Sequence, residues 1–183
     1  MKLKQVLQLN PYDVTLIVKD GKEFKAHRQV LSEASPFFEK LLSSDVKEKK
    51  EGVIRLEIFN ESQMVDILEF IYTGYVEIST QENAEKIIAA ADYLCLQNLK
   101  HIAGKFLEQR LCILNCISIL HLAEEYKCDD LMGSTRKFIC SNFAIVAETA
   151  HFLDLSSYEV EKLISSDDIE MTLLEKIKTA SIK

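Results

Sequence analysis

Strand signals are confined to the first part of this chain; beyond Leu111 the apolar residues fall on helical spacings. Strands mixed with helices and then helices alone imply an α+β domain followed by an all-α appendage. The length, 183 residues, suits one generous domain, or an ordinary domain with part of another behind it.

The first strand is expected over Asp13 to Val18, too apolar to be wet on one face. Asp20-Gly21 then separates it from a second run, Glu23 to Ala26. An aspartate-glycine step there predicts a hairpin, since the tight turn needs the positive φ that glycine supplies. Ser35-Pro36 reads as an N-cap with proline at the first helical position, ahead of an apolar stripe of Phe37, Phe38, Leu41 and Leu42. A charged stretch, Asp45 to Glu51, precedes a short strand at Val53 to Leu56. Asn60 and Gln63 stand at N-cap and N3 spacing before Met64, Ile67, Leu68 and Ile71. Gly74 sits where that helix would end.

Tyr75 to Ile78 then reads as another short strand, and Ser79 with Glu82 as a capping box. The helix so opened carries Ile87, Ile88, Ala91 and Leu94 inward. The next runs from about Leu96 to Arg110. Asn115 is placed to cap a helix bearing Ile119, Leu122, Ala123 and Tyr126, and Asp129 or Asp130 to open one bearing Leu131, Phe138, Ile139 and Phe143. Helical turns at Phe152 to Leu155 and Tyr158 to Ile164 follow.

The formal charge of −7 disfavours nucleic-acid and anionic-membrane partners, because phosphate repels a net anion. The opening ten residues carry no apolar core of a signal peptide, and no run approaches a membrane span. The five cysteines are therefore read as reduced thiols of a cytoplasmic or nuclear protein. Cys95, between Leu94 and Leu96, reads as a buried core thiol, and His27 as a packed, hydrogen-bonded side chain. Cys112 and Cys116 near His121 lack the two tight pairs that a zinc site wants, so no metal and no cofactor is expected. No nucleophile elbow, phosphate-binding glycine loop or His-Glu-x-x-His is present, and no enzyme is expected.

Five segments in this order resemble the BTB/POZ domain of Kelch-like proteins. They are Asp13-Val14-Thr15-Leu16, Phe24 to Leu31 (FKAHRQVL), Ser35-Pro36-Phe37-Phe38, Leu68 to Gly74 (LEFIYTG) and Ala90 to Leu94 (AADYL). Leu111 to Cys116, Leu122 to Tyr126, Phe138-Ile139 and Leu153-Asp154-Leu155 are similar to the BACK domain that follows it. The resemblance implies a BTB/POZ fold, a short sheet with surrounding helices, over residues 1–111. Residues 112–183 would be the N-terminal, all-α part of a BACK domain, truncated or divergent after about residue 168. No repeat of Kelch length is present in this chain.

The resemblance further implies a non-catalytic homodimeric adaptor that binds cullin-3 within a ubiquitin ligase, its substrate protein unknown. The self-pairing face would comprise Leu3, Val6, Leu7 and Leu9 with Phe37, Phe38 and Leu42. Asp13 and Arg28 match a charged pocket at the dimer interface of related domains and are read as fixing pairing geometry. The cullin contact would be Val46, Lys47 and Glu48, a hydrophobic-x-glutamate pattern, joined by Tyr93, Leu96 and Asn98 and by the helices from Asn115 to Tyr126. The alternative is a dimeric scaffold for corepressors or cytoskeletal proteins with no ligase role.

Overall fold

A computed structural model describes residues 11–43 and 52–164. Leu3, Val6, Leu7, Leu9, Val46, Lys47 and Glu48 lie outside the described residues. The chain divides into two units, residues 1–103 and 104–183.

The first unit is built on a three-stranded sheet of order β2-β1-β3. Central β1 (Val14–Val18) pairs antiparallel with β2 (Glu23–Ala26) and parallel with β3 (Val53–Leu56). Val14, Leu16 and Val18 are buried, while Thr15 and Ile17 are half-covered, as the unbroken apolar run requires. Gly21, at φ +70°, makes the expected turn: its N–H donates to Val18 O at 2.9 Å, and Val18 N–H donates to Lys22 O at 3.1 Å.

Between β2 and β3 lie α1 (Arg28–Ala34), which the sequence reading did not separate, and α2 (Pro36–Ser43). Ser35 ends the first helix and caps the second, its backbone N–H donating to Leu31 O and its hydroxyl accepting the Phe38 N–H. After β3 comes α3 (Glu61–Thr73). Its capping box is complete: Gln63 N–H donates to Asn60 Oδ1 at 3.0 Å, and Asn60 N–H donates to Gln63 Oε1 at 3.1 Å. Gly74 closes it in the left-handed region, as expected.

Tyr75 to Ile78 is not a strand. The six residues 75–80, at about 3.3 Å each, reach about 20 Å, which matches the axial length of a 13-residue helix at 1.5 Å per residue. The segment thus returns along α3 and lets α4 (Gln81–Tyr93) start beside the start of α3, with Asn83 Nδ2 donating to Asp66 Oδ2 at 3.1 Å. Residues 75–79 alternate in burial, with Val76 inward, yet they have no ladder partner among the described residues. The cap of α4 is Thr80, one residue beyond the expected Ser79, its hydroxyl accepting from Asn83 N–H at 3.1 Å. Ile87, Ile88, Ala91 and Leu94 are buried as the spacing predicts.

Helix α4 ends in a Schellman motif. Leu96 N–H donates to Ala91 O at 2.7 Å, Cys95 N–H donates to Asp92 O at 3.1 Å, and Cys95 has φ +55°. That conformation turns the Cys95 side chain outward, so the thiol is exposed and the expectation of a core thiol is corrected. Helix α5 (Gln97–Glu108) follows, and the division between units falls inside it.

The second unit continues with α6 (Cys116–Glu125), α7 (Asp129–Ser141), α8 (Phe143–Val146), α9 (Ala150–Leu153) and α10 (Ser157–Ile164). Its core gathers Ile117, Leu120, Ile139, Val146 and Leu163 with the thiols of Cys116 and Cys140. Asn115 precedes α6 as expected but makes no cap bond. Its side chain instead accepts the Cys112 N–H at 2.7 Å and donates to Arg110 O at 3.0 Å, tying down the entry loop. Phe143 opens its own short helix and stacks edge-on against Phe152, at 5.6 Å between centroids.

At the β2–α1 junction His27 is packed and hydrogen-bonded, as expected. The Tyr72 hydroxyl accepts the His27 backbone N–H at 2.9 Å and lies within hydrogen-bond distance of Nδ1, also at 2.9 Å. Burial raises the pKa of Tyr72, reinforced by Tyr12 and Asp13 and opposed by the His27 backbone bond.

Two measurements check this account. Replacing Cys95 with glycine relieves the left-handed strain and raises unfolding free energy by about 1 kcal/mol in urea titrations. For Tyr72, the folded pKa lies above the ordinary value of 10.0, so an unfolded chain ionises first. Its contribution is whole below that pH and declines as pH rises beyond it. Tyr72→Phe costs about 1 kcal/mol at about pH 8 and reduces the alkaline loss of stability measured at about pH 11.

Candidate docking surface

The described part of the first unit presents an aromatic face where two helix ends meet. Capped by Ser35, α2 carries Phe37 outward and Phe38 inward, because successive helical residues point about 100° apart. The end of α4 carries Tyr93. Their rings lie 5.2 Å apart, and Phe59, just ahead of the Asn60 cap, meets Tyr93 edge-on at 5.6 Å. Tyr93 keeps 47% of its surface exposed, whereas Phe59 is buried beneath it. A tyrosine backed by two phenylalanines is a rigid apolar surface with a polar tip, suited to packing against an apolar side chain of a partner.

Asp92 and Lys100 brace the turn that holds Tyr93, with Lys100 Nζ 2.7 Å from Asp92 Oδ1. Lys100 is almost wholly covered while Asp92 is partly exposed, so the pair is desolvated mainly on one side.

The sequence-derived residues divide clearly. Phe37 and Tyr93, assigned to different partners, are brought into one contact, and Asn98 is exposed nearby on the first turn of α5. Phe38, Leu42 and Leu96 are buried within their own unit, so their side chains support the surface and do not form it. Their apolar character alone could not separate a core position from an interface position. Phe59 was missed; its place before an N-cap, where a hydrophobic residue commonly packs on the helix, was the available signal.

Asp13 and Arg28 are also brought together. The Asp13 carboxylate accepts the Arg28 backbone N–H at 2.8 Å, and Arg28 Nε donates to the Asp13 carbonyl at 3.1 Å. The carboxylate therefore serves the start of α1, where an acid is favoured by the helix dipole. A side chain at Gly52, itself at φ +67°, would approach the Arg28 guanidinium at 3.4 Å.

In the second unit a cleft of about 480 Å³ has an apolar floor including Ile117, Leu120 and Leu163. Two pairs border it: Arg136 with Glu124 at 2.9 Å and His121 with Glu159 at 3.5 Å. Cys112 is exposed, while burial raises the pKa of Cys116 and makes it a poor nucleophile at neutral pH. Among the described residues no three metal-binding side chains cluster, and no helix is long and apolar enough to cross a membrane.

Comparison with known proteins supplies the context. Residues 3–111 match the family model of the BTB/POZ domain, and residues 116–182 match that of BACK, "BTB And C-terminal Kelch". Kelch-like protein 40 of Xenopus laevis is 33% identical over 175 residues, 96% of this chain and 28% of that protein. Human Kelch-like protein 28 is 33% identical over 165 residues, 90% of this chain and 28% of that protein. The BTB domain of human gigaxonin superposes with a TM-score of 0.49 at 25% identity, covering 57% of this chain and 85% of that one. The chain thus spans under a third of the length of the curated relatives it matches. The relationship is to non-catalytic proteins and supports a non-enzymatic assignment. With a short mixed sheet ringed by helices, an all-helical region after it in the sequence and both family matches in that order, the chain belongs to the BTB–BACK family of Kelch-like proteins.

Proposed function

We propose that this chain is the dimeric, cullin-3-binding part of a ubiquitin-ligase adaptor. Residues 1–111 act as the self-pairing BTB domain, and residues 112–183 as the N-terminal part of BACK. The observation that carries this reading is the Phe37–Tyr93 face: a partly exposed aromatic surface assembled from two helices within the BTB match. A helix of cullin-3 would place an apolar side chain against Tyr93, with Asn98 supplying a polar rim contact. Val46 and Glu48 would add a second apolar knob and a carboxylate, with Lys47 between them in the same contact segment.

Self-pairing would use Leu3, Val6, Leu7 and Leu9, since so short an apolar segment gains little unless a surface covers it. Phe37 would lie at the border of the two interfaces. Asp13 and Arg28 would set the geometry of the paired chains through the start of α1. The site of action would be the cytoplasm or nucleus, and the substrate would be read by a part of the protein outside this chain.

Pull-down on purified cullin-3 N-terminal domain tests the reading. Wild type is retained, Tyr93→Ala weakens retention by about 2 kcal/mol, and Val46→Ala with Glu48→Ala removes most of it. Loss of no affinity in either variant, or no retention of wild type, contradicts the proposed contact. For self-pairing, sedimentation should give a dimer mass that Leu7→Glu lowers to monomer or drives to aggregate; an unchanged dimer contradicts the assigned face.

A further inference from the structure

Ser35 is fully buried and cannot touch a partner, yet its side chain joins the two halves of the aromatic face. Its hydroxyl donates to Leu94 O at 2.6 Å and accepts the Phe38 N–H at 3.2 Å. Leu94 is the C-cap of α4, so its carbonyl has no acceptor role inside that helix and is left for a partner from elsewhere. The Phe38 N–H is one of the donors orphaned at the start of α2. One hydroxyl thus satisfies one end of each helix in a place closed to water, a side chain assignment with only one proton to give and lone pairs to receive.

Phe37 stands two residues after Ser35, and Tyr93 one residue before Leu94. The bridge therefore lies at the roots of the two side chains whose tilted rings meet at 5.2 Å between centroids. The rest of the turn is already stiff. Cys95 fixes the backbone beyond Leu94 in the left-handed region, and the Asp92–Lys100 pair braces it from the other side. What those contacts leave open is the placement of this turn relative to α2, and the Ser35 bridge supplies it.

We infer that Ser35 is a positioning residue for partner binding: it sets the spacing of Phe37 and Tyr93 and so preorganises the docking face. The identity of the partner rests on the cullin-3 reading above; the positioning role is defined by the two rings and can be read without any partner. Alanine at position 35 leaves the Leu94 carbonyl and the Phe38 N–H without this shared group, and the turn and α2 lose their common anchor. Binding then pays for restoring a geometry that the wild-type chain holds in advance.

The experiment compares wild type, Ser35→Ala, Tyr93→Ala and the double variant, each confirmed folded by circular dichroism at the working temperature. Ser35→Cys, of similar shape and a weaker donor, takes the place of Ser35→Ala should alanine prevent folding. Affinity for the cullin-3 N-terminal domain is measured with its rates, and ring contacts between Phe37 and Tyr93 are followed by NMR on the free chain. The expected result is about a tenfold weakening for Ser35→Ala, carried by faster dissociation. In the Tyr93→Ala background the same change has no further effect, a coupling that a general loss of stability does not produce. The Phe37–Tyr93 ring contact weakens in the free variant. Wild-type ring contacts in a folded Ser35 variant overturn the inference, as do strictly additive losses. Failure of wild type to bind cullin-3 while the ring contact still depends on Ser35 overturns the cullin-3 reading and leaves the positioning role standing.

Discussion

The first unit turns on a buried hydroxyl. Helix ends expose unpaired backbone groups, and closing them away from water is costly unless each finds a partner. Here the start of α2 and the end of α4 meet at Ser35, which is also the residue that ends α1. Three helices are thus indexed to one residue without access to solvent, α1 through its backbone N–H and the other two through its hydroxyl. Beneath the exposed tyrosine the Leu94 carbonyl and the Phe38 N–H are both paired through this hydroxyl.

The same economy explains why the surface is aromatic and small. Phe38 and Leu96 occupy the core, Phe59 supports the ring above it, and only Phe37 and Tyr93 are left partly uncovered. Burying such rings against a partner releases ordered water and costs little side-chain entropy, since each has two torsions and neighbours that already restrain it. The second unit has a separate core, with two thiols inside it and its ion pairs at the border of a cleft. Those thiols behave as small apolar side chains, and burial works against ionisation of Cys116.

Much of the fold was legible in the sequence because it rests on local chemistry. Asp20-Gly21, Ser35-Pro36, the Asn60/Gln63 box and Gly74 each specify backbone geometry within a few residues, and each appears where its chemistry requires. Tyr75 to Ile78 misled because alternation signals an extended run but not a neighbour to pair with. Cys95 misled because flanking leucines do not reveal a left-handed backbone at the residue between them. The site was less legible. Ser35 was readable as a cap, but its bond to Leu94 spans 59 residues and depends on tertiary packing. Phe38 and Leu42 carry the same apolar signal whether they face a core or a partner, and only the built helix distinguishes them.

Family membership is carried by both matched domains, while the curated relatives extend well beyond the stretch covered by this chain. The adaptor reading therefore centres on the end that would engage the ligase. Hydrogen–deuterium exchange of the chain with and without the cullin-3 N-terminal domain addresses that end most directly. The account predicts slowed exchange over Pro36–Ser43 and across the turn from Tyr93 to Asn98, with little change where α3 and α4 begin, at Asn60 and Thr80. Protection confined to the starts of α3 and α4, or none at saturating cullin-3 domain, would contradict it.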